Sequence, residues 1–332
     1  MPRMGRWVVV LVWMGGCAND PVSLDDSKSK EGASEFEPYE LAPEAPVNGV
    51  QVHLEPFWLE PFEEVERCWF IQADLNMPAN VTSMRVVGRP GLHHSIILKT
   101  DSVFDEHIED CFGIPLSLIY NPTGLPEPML ITSTQVWDET LAFPPGVGMP
   151  IRGGQQLVVN FHYLNSTDEP APAELWLNLE FAETGEVNEF AYGFIYGNIG
   201  GIDIPPQSRQ SLTTTCNMPK ANLFSLTPHL HQKGSKFEAW LDRPDGMQPL
   251  VSDEGWFDPD TVSYSPSVAM ESSDDLRFTC TWDNDTDESV DFGETSKDEM
   301  CFVFGHYYPA YAPAFGFEGI GCDELENTVE PL

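Results

Sequence analysis

The sequence predicts an all-β chain folded as two consecutive antiparallel β-sandwiches of jelly-roll type. Short stretches rich in β-branched and aromatic residues alternate with clusters of Pro, Gly, Asn and Asp, the punctuation of strands and turns. No sustained helical period interrupts them. With 332 residues, 41% of them hydrophobic, the chain is long enough for two domains that each bury a core.

Residues 1–16 read as an export signal. Arg3 and Arg6 precede an apolar run from Trp7 to Met14, too short to span a bilayer as a mature helix, and Gly15 and Gly16 then lead to Cys17. Small residues directly before a cysteine resemble a bacterial lipobox, which implies cleavage before Cys17 and a lipid on its sulfur. The expected location is the bacterial cell envelope, with the protein exported and lipid-anchored at the periplasm or the cell surface. Residues 17–45 are rich in Asp, Glu, Ser and Pro with little apolar content, and read as an acidic disordered tether between membrane and body.

The first sandwich is expected over residues 46–186, with strands at SMRVVG, HSIILK, QQLVVNFHYLN and ELWLNLEF. The division falls in ETGEVNE, residues 183–189. The second sandwich is expected over residues 187–332, opening on FAYGFIYG and continuing through KFEAWL and MCFVFGHYY.

Charge narrows the partners. The formal net charge is −37, and loss of the two arginines in residues 1–16 makes it −39. Phosphates would be repelled, so nucleic acid is excluded as a partner. Apart from Cys17, the cysteines are Cys68, Cys111, Cys216, Cys280, Cys301 and Cys322. An even set in an exported chain predicts three disulfides, with 15 pairings open on the sequence alone. No close CxxC pair favours zinc instead.

Six residues carry the chemistry. His93 and His94 are adjacent, His162 stands in the apolar run VVNFHYL, His229 and His231 flank Leu230, and Met300 lies inside DEMC. Neutral imidazole is the commonest protein ligand for copper, and a thioether favours its reduced form. Residues i and i+2 of a strand share a face, so His229 and His231 can converge on one ion. Adjacent residues diverge, so His93 and His94 require a strand end or a bulge, which Pro90 and Gly91 just upstream favour. Asn160 shares a strand face with His162 and could orient a ligand. His53, His107 and His306 have no partner at ligand spacing and read as structural.

The motifs HHS at His93, FHY at His162, HLHxxG from His229 to Gly234 and TSKDEMC ending at Cys301 together resemble the copper type II, ascorbate-dependent monooxygenases, the family of peptidylglycine alpha-hydroxylating monooxygenase and dopamine beta-monooxygenase. The steps from His94 to His162, His162 to His229 and His231 to Met300 are 68, 67 and 69 residues, in keeping with that family. The likeness runs from about residue 50 to 325, and HYYP at His306–Pro309 is closest to the dopamine branch.

The resemblance implies two copper ions, one per sandwich, facing each other across a solvent-filled cleft. His93, His94 and His162 would hold the electron-transfer copper. His229, His231 and Met300 would hold the catalytic copper, where dioxygen and substrate meet. It also implies the disulfides Cys68 with Cys111, Cys216 with Cys322 and Cys280 with Cys301. The implied reaction is hydroxylation of a C–H bond in a small organic substrate, with ascorbate as reductant. The peptidylglycine branch anchors a carboxylate with an Arg, an Asn and a Tyr, and the matching positions here are Thr227, Phe302 and Phe304. A C-terminal glycine peptide is therefore not expected as substrate, and Phe302 and Phe304 suggest an apolar pocket or ordinary core. The alternative is a non-catalytic copper-binding lipoprotein on the same scaffold, and more remotely a structural adhesion sandwich with incidental histidines.

Overall fold

A computed structural model of the chain describes residues 8–10, 42–72, 78–101, 108–109, 129–310, 315–318 and 321–332. Among these residues every regular element is a strand, as the alternation predicts. Among the described residues no helix is long and apolar enough to cross a membrane. Cys17, His107, Cys111 and nearly all of residues 1–45 lie outside the described residues. The exceptions at that end are residues 42–45 and Val8–Val10, which pairs with Gln51–His53 at a sheet edge.

Up to Phe190 the chain forms two facing sheets. The larger holds Gly49–Leu59, Ala171–Phe181, Ala79–Gly88 and Val147–Ile151 at its centre. The smaller holds Ile108–Glu109, Glu64–Gln72, Gln156–Leu164, Leu92–Thr100 and Met129–Thr134, in that order. Strand alternation decides which side chains fill the space between them. Val65, Trp69 and Ile71 join Leu157, Val159, Phe161 and Tyr163 on the inner face, in one core with Val52, Leu54 and Leu177 of the larger sheet.

The outer face of the smaller sheet is also covered. Phe70, Leu98, Leu130 and Val158 pack against Ile195, Met300, Phe302 and Phe304 of the later half of the chain. Gln156–Leu164 is therefore buried on both sides, which is why it reads as a nearly continuous apolar run.

From Tyr192 onward a single ten-stranded ladder runs from Gly246–Glu254 to Val262–Met270. It curls so that Phe237 and Phe278 from one half share a core with Leu223, Val303 and Tyr307 from the other. The sequence predicts a purely antiparallel arrangement, and the structure differs in three short places. Glu189–Phe190 runs parallel to Val147–Ile151, and Phe315–Glu318 is parallel to both of its neighbours.

Two disulfides implied by the resemblance are formed, Cys216–Cys322 between paired strands and Cys280–Cys301 beside Met300. Cys68 is also disulfide-bonded, and its expected partner Cys111 lies outside the described residues.

Candidate metal centre

His162 occupies the middle strand of the smaller sheet, directly opposite His94. The next pair in the ladder is Tyr163 with Leu92, so His93 is the extra residue of a β-bulge. The bulge turns two adjacent side chains to the face that carries His162. Nδ1 of His93 and Nδ1 of His94 lie 3.2 Å apart. One ring nitrogen from each of the three histidines falls within 4.8 Å of the others.

His229 ends the strand Ala221–His229, so His231 lies beyond it rather than on it. The two rings still stand 5.0 Å apart because the chain turns at once, with Gly234 N–H donating to the His231 carbonyl at 2.8 Å. A Cβ on Gly234 would sit 2.6 Å from Leu230 Cβ and 2.9 Å from the His231 oxygen, so this turn requires glycine. Glu299 clamps it from the other motif. One of its oxygens accepts from His231 N–H at 3.0 Å and the other from Lys233 N–H. Burial pushes the Glu299 carboxyl up to about 8, against the backbone donors of Lys233, His231 and Met300. The preceding residue, Asp298, offers its carbonyl to His231 Nδ1 at 3.2 Å.

Met300 follows Glu299 and precedes the bridged Cys301. It is buried in the apolar cluster that includes Phe304, whose ring lies 6.1 Å from that of His229.

The two histidine sets are not divided by a solvent-filled cleft, and this corrects the expectation taken from the resemblance. The ring of His94 lies 5.1 Å from that of His229, and the ring of His93 lies 5.9 Å from His229 and 5.8 Å from His231. All five are buried. The cause is the apolar contact between the sandwiches, which draws the two faces together. Phe302 and Phe304, at 2% and 4% exposure, are part of that contact and do not line an open pocket. Trp256 closes the cluster on another side, its ring 5.2 Å from that of His93.

Hydrogen bonds fix where three of the rings carry their protons. His162 Nε2 faces a Glu64 oxygen at 2.8 Å, and the same carboxylate accepts from Ser296 N–H at 2.7 Å and Ser296 Oγ at 3.0 Å. Burial raises the Glu64 carboxyl, yet these donors outweigh it and hold the group down at about 2. His229 Nδ1 faces Gln135 Oε1 at 2.8 Å. A carboxylate, an amide oxygen and a peptide carbonyl can only accept, so His162 is protonated on Nε2 and His229 and His231 on Nδ1. In its neutral form each ring then has its lone pair on the other nitrogen. Burial, followed by repulsion from neighbouring imidazoles, holds His93, His94 and His229 well below the usual histidine range. The same causes push His231 down to about 3. These four rings are neutral at ordinary pH, which is the ligating form.

These residues fit a metal. His93 Nε2 and His231 Nε2 are buried and meet no hydrogen-bond partner, an arrangement costly to leave unmet. Buried imidazole donors of this kind suit copper.

The remaining expected residues are placed elsewhere. His306 has both nitrogens engaged, with Ser225 Oγ at 2.8 Å and the Ile131 carbonyl at 2.7 Å. His53 pairs with Glu174 at 2.8 Å and stacks on Trp176. Asn160 shares the face of His162 and donates to Glu66 at 2.6 Å. Thr227, where the carboxylate clamp would stand, exchanges a hydrogen bond with Thr261 at 2.8 Å. Glu64, Gln135, Trp256 and Glu299 are site residues that sequence reading missed. Of these only Glu299 had a signal, its place within DEMC. Residues 192–327 match the family model described as copper type II ascorbate-dependent monooxygenase, C-terminal domain.

Proposed function

We infer that the whole chain, whose residues 192–327 match the C-terminal domain model of the copper type II, ascorbate-dependent monooxygenases, is a copper enzyme that hydroxylates a C–H bond of a small organic molecule, with ascorbate and dioxygen as co-substrates. His93, His94 and His162 would hold one copper, and His229, His231 and Met300 a second. Copper bound there would supply one-electron redox chemistry and the activation of dioxygen.

The observation that carries this reading is the buried group of five imidazoles, three of them with a proton held on the outward nitrogen. Glu64, Gln135 and the Asp298 carbonyl keep those lone pairs turned inward. The aromatic contact of Phe302 and Phe304, with Trp256 over His93, excludes water from the centre. Exclusion of water strengthens the electrostatics within and protects a reactive centre from side reactions. Thr227 in place of a cationic clamp favours an apolar or uncharged substrate over a carboxylate. A lipid on Cys17 would anchor the exported enzyme in the bacterial cell envelope, at the periplasm or the cell surface, with residues 17–45 as tether.

Copper analysis of the loaded protein, followed by oxygen uptake with ascorbate and a panel of small organic molecules, tests the proposal. Two coppers per chain and substrate-stimulated uptake are expected. No retained copper would refute it, and copper without stimulated uptake would leave a copper-binding protein without this activity.

A further inference from the structure

The first sandwich reaches across the boundary to one of the second sandwich's histidines. Gln135 follows the strand Met129–Thr134, and the turn that aims it is held by Thr134 Oγ1, which accepts from Val136 N–H at 3.2 Å. Its side chain is buried at 2% exposure. Its Nε2 donates to the Pro228 carbonyl, one residue before His229, so the amide orientation is fixed by that contact. Oε1 is thereby presented to His229 Nδ1 at 2.8 Å.

We propose that Gln135 is a positioning residue for the opposite sandwich's metal site, holding His229 in the Nδ1–H form so that its Nε2 lone pair is available only when the sandwiches are docked. The proposal rests on the copper reading above and deepens it. An isolated imidazole in water exchanges between its two tautomers, and only one of them leaves the inward nitrogen free to ligate. An acceptor at Nδ1 selects that form, as outer partners of metal-bound histidines generally do. The arrangement is reciprocal. Glu64, which sets the tautomer of His162 in the first sandwich, is itself held by Ser296 of the second through two hydrogen bonds. Each histidine set thus has one ring whose orientation is completed by the other sandwich.

The test uses the full metal-free chain with 15N-labelled histidine and long-range proton–nitrogen spectra at neutral pH. The His229 signal is assigned from its loss in His229→Ala. In the unsubstituted chain His229 should be in the Nδ1–H form. Gln135→Leu, which removes the acceptor, should shift it to a tautomer mixture, whereas Gln135→Glu, which as the buried protonated acid keeps both an acceptor for His229 and a donor for the Pro228 carbonyl, should retain Nδ1–H. His306 serves as an internal reporter of docking, because its Nε2 donates to the Ile131 carbonyl across the same boundary. Its signal should stay unchanged in both variants. In competition with a Cu(I) chelator, Gln135→Leu should weaken one of the two coppers by about 10- to 100-fold and leave the other unaltered. An Nδ1–H signal that persists in Gln135→Leu overturns the proposal. So does a His306 signal that shifts together with His229, since the effect would then come from separation of the sandwiches. If the tautomers behave as stated but the unsubstituted chain binds no copper, the copper reading fails and the hold of Gln135 on His229 stands. If copper binds with equal affinity to Gln135→Leu and to the unsubstituted chain, the positioning role fails and the copper reading stands.

Discussion

At Glu299, burial and hydrogen bonding act against each other, since the carboxyl is fully enclosed and yet accepts from two backbone N–H groups of the turn that carries His231. A glutamine there has one acceptor where the turn presents two donors, so its NH2 must oppose an N–H. Glu299→Gln is expected to destabilise the protein by about 1–3 kcal/mol, the cost of a buried donor left unmet. It should also lower copper retention, because the His231 backbone loses its anchor. Thermal unfolding of the metal-free variant with parallel metal analysis checks both, and an unchanged midpoint would mean that the turn holds itself. Histidines were legible as candidates because their spacing is local: a doublet, and a pair at i and i+2. Their supporting residues were not, because the partners are remote in sequence. Gln135 lies 94 residues from His229, Glu64 lies 98 from His162, and Ser296 lies 232 from Glu64. No periodicity within one strand encodes such pairs. Phe302 and Phe304 show the same limit, because alternation put them on one face but could not say that another sandwich covers it.

One turn is used twice, once in each sandwich. Asn165–Glu169 and Asn284–Glu288 both read Asn-x-Thr-Asp-Glu, and in both the Asn Oδ1 accepts from the Thr N–H and hydroxyl while the Asn amide donates to the Glu carbonyl. Each amide also reaches back to the chain ahead of a neighbouring strand, to the Glu60 carbonyl and the Pro205 carbonyl. Phe62 and Gln207, both in the left-handed region at φ 60° and 52°, donate their N–H groups to Thr167 and Thr286 at 3.2 Å. The bulge recurs as well. In the first sandwich it lies at His93, opposite the end of Gln156–Leu164; in the second the ladder steps from Thr281 with Lys236 to Trp282 with Gly234, skipping Ser235. The positions equivalent to His93, His94 and His162 are therefore Ser235, Lys236 and Thr281, which offer no imidazole. The second sandwich carries His229 at the end of a different strand, Ala221–His229, and His231 in the turn beyond it, and this is why the two sets are unequal. Substituting either Asn by Ala removes several hydrogen bonds made by a buried side chain beneath a surface turn. Asn165→Ala and Asn284→Ala should each cost about 2–4 kcal/mol, at roughly 1 kcal/mol per bond. Urea denaturation of the two variants measures this, and a loss in one alone would show that the repeated geometry does not bear equal weight.

Across the whole molecule, the close approach of the sandwiches has a steric and an electrostatic consequence. Gly193 lies where Tyr192–Asn198 meets Leu130, and a Cβ there would fall 2.7 Å from the Leu130 carbonyl oxygen and 2.8 Å from its Cβ. Gly193→Ala must move backbone, so it should cost about 1–3 kcal/mol, read by urea denaturation, and a fully stable variant would show that the sandwiches can separate freely. The electrostatic consequence is a pH optimum for the metal-free chain. Burial, joined around the metal centre by repulsion between rings, lowers His93, His94, His229, His231 and His306 from the usual 6.5. Below pH 6.5 the unfolded chain therefore binds more protons than the folded one, so this contribution is complete above pH 6.5 and is lost as pH falls. Burial acts oppositely on Glu66 and Glu299, raising both from 4.5 to about 8. Between those values the folded chain holds the extra protons, so their contribution is present below pH 4.5 and is lost as pH rises to 8. From pH 4.5 to 6.5 five histidines act against Glu66, Glu299 and Glu294, the last raised by burial to about 7, and stability climbs; above 6.5 the histidine contribution is already complete and the carboxyls pull it down, opposed above pH 7 by the single Lys99, which burial lowers from 10.5 to about 7. Unfolding free energies from urea titrations at pH 5, 6.5 and 8 should therefore be greatest near 6.5, with copper rigorously removed. A stability that continued to rise to pH 8 would show that Glu66 and Glu299 ionise without penalty, and so that water reaches the boundary on which the whole centre depends.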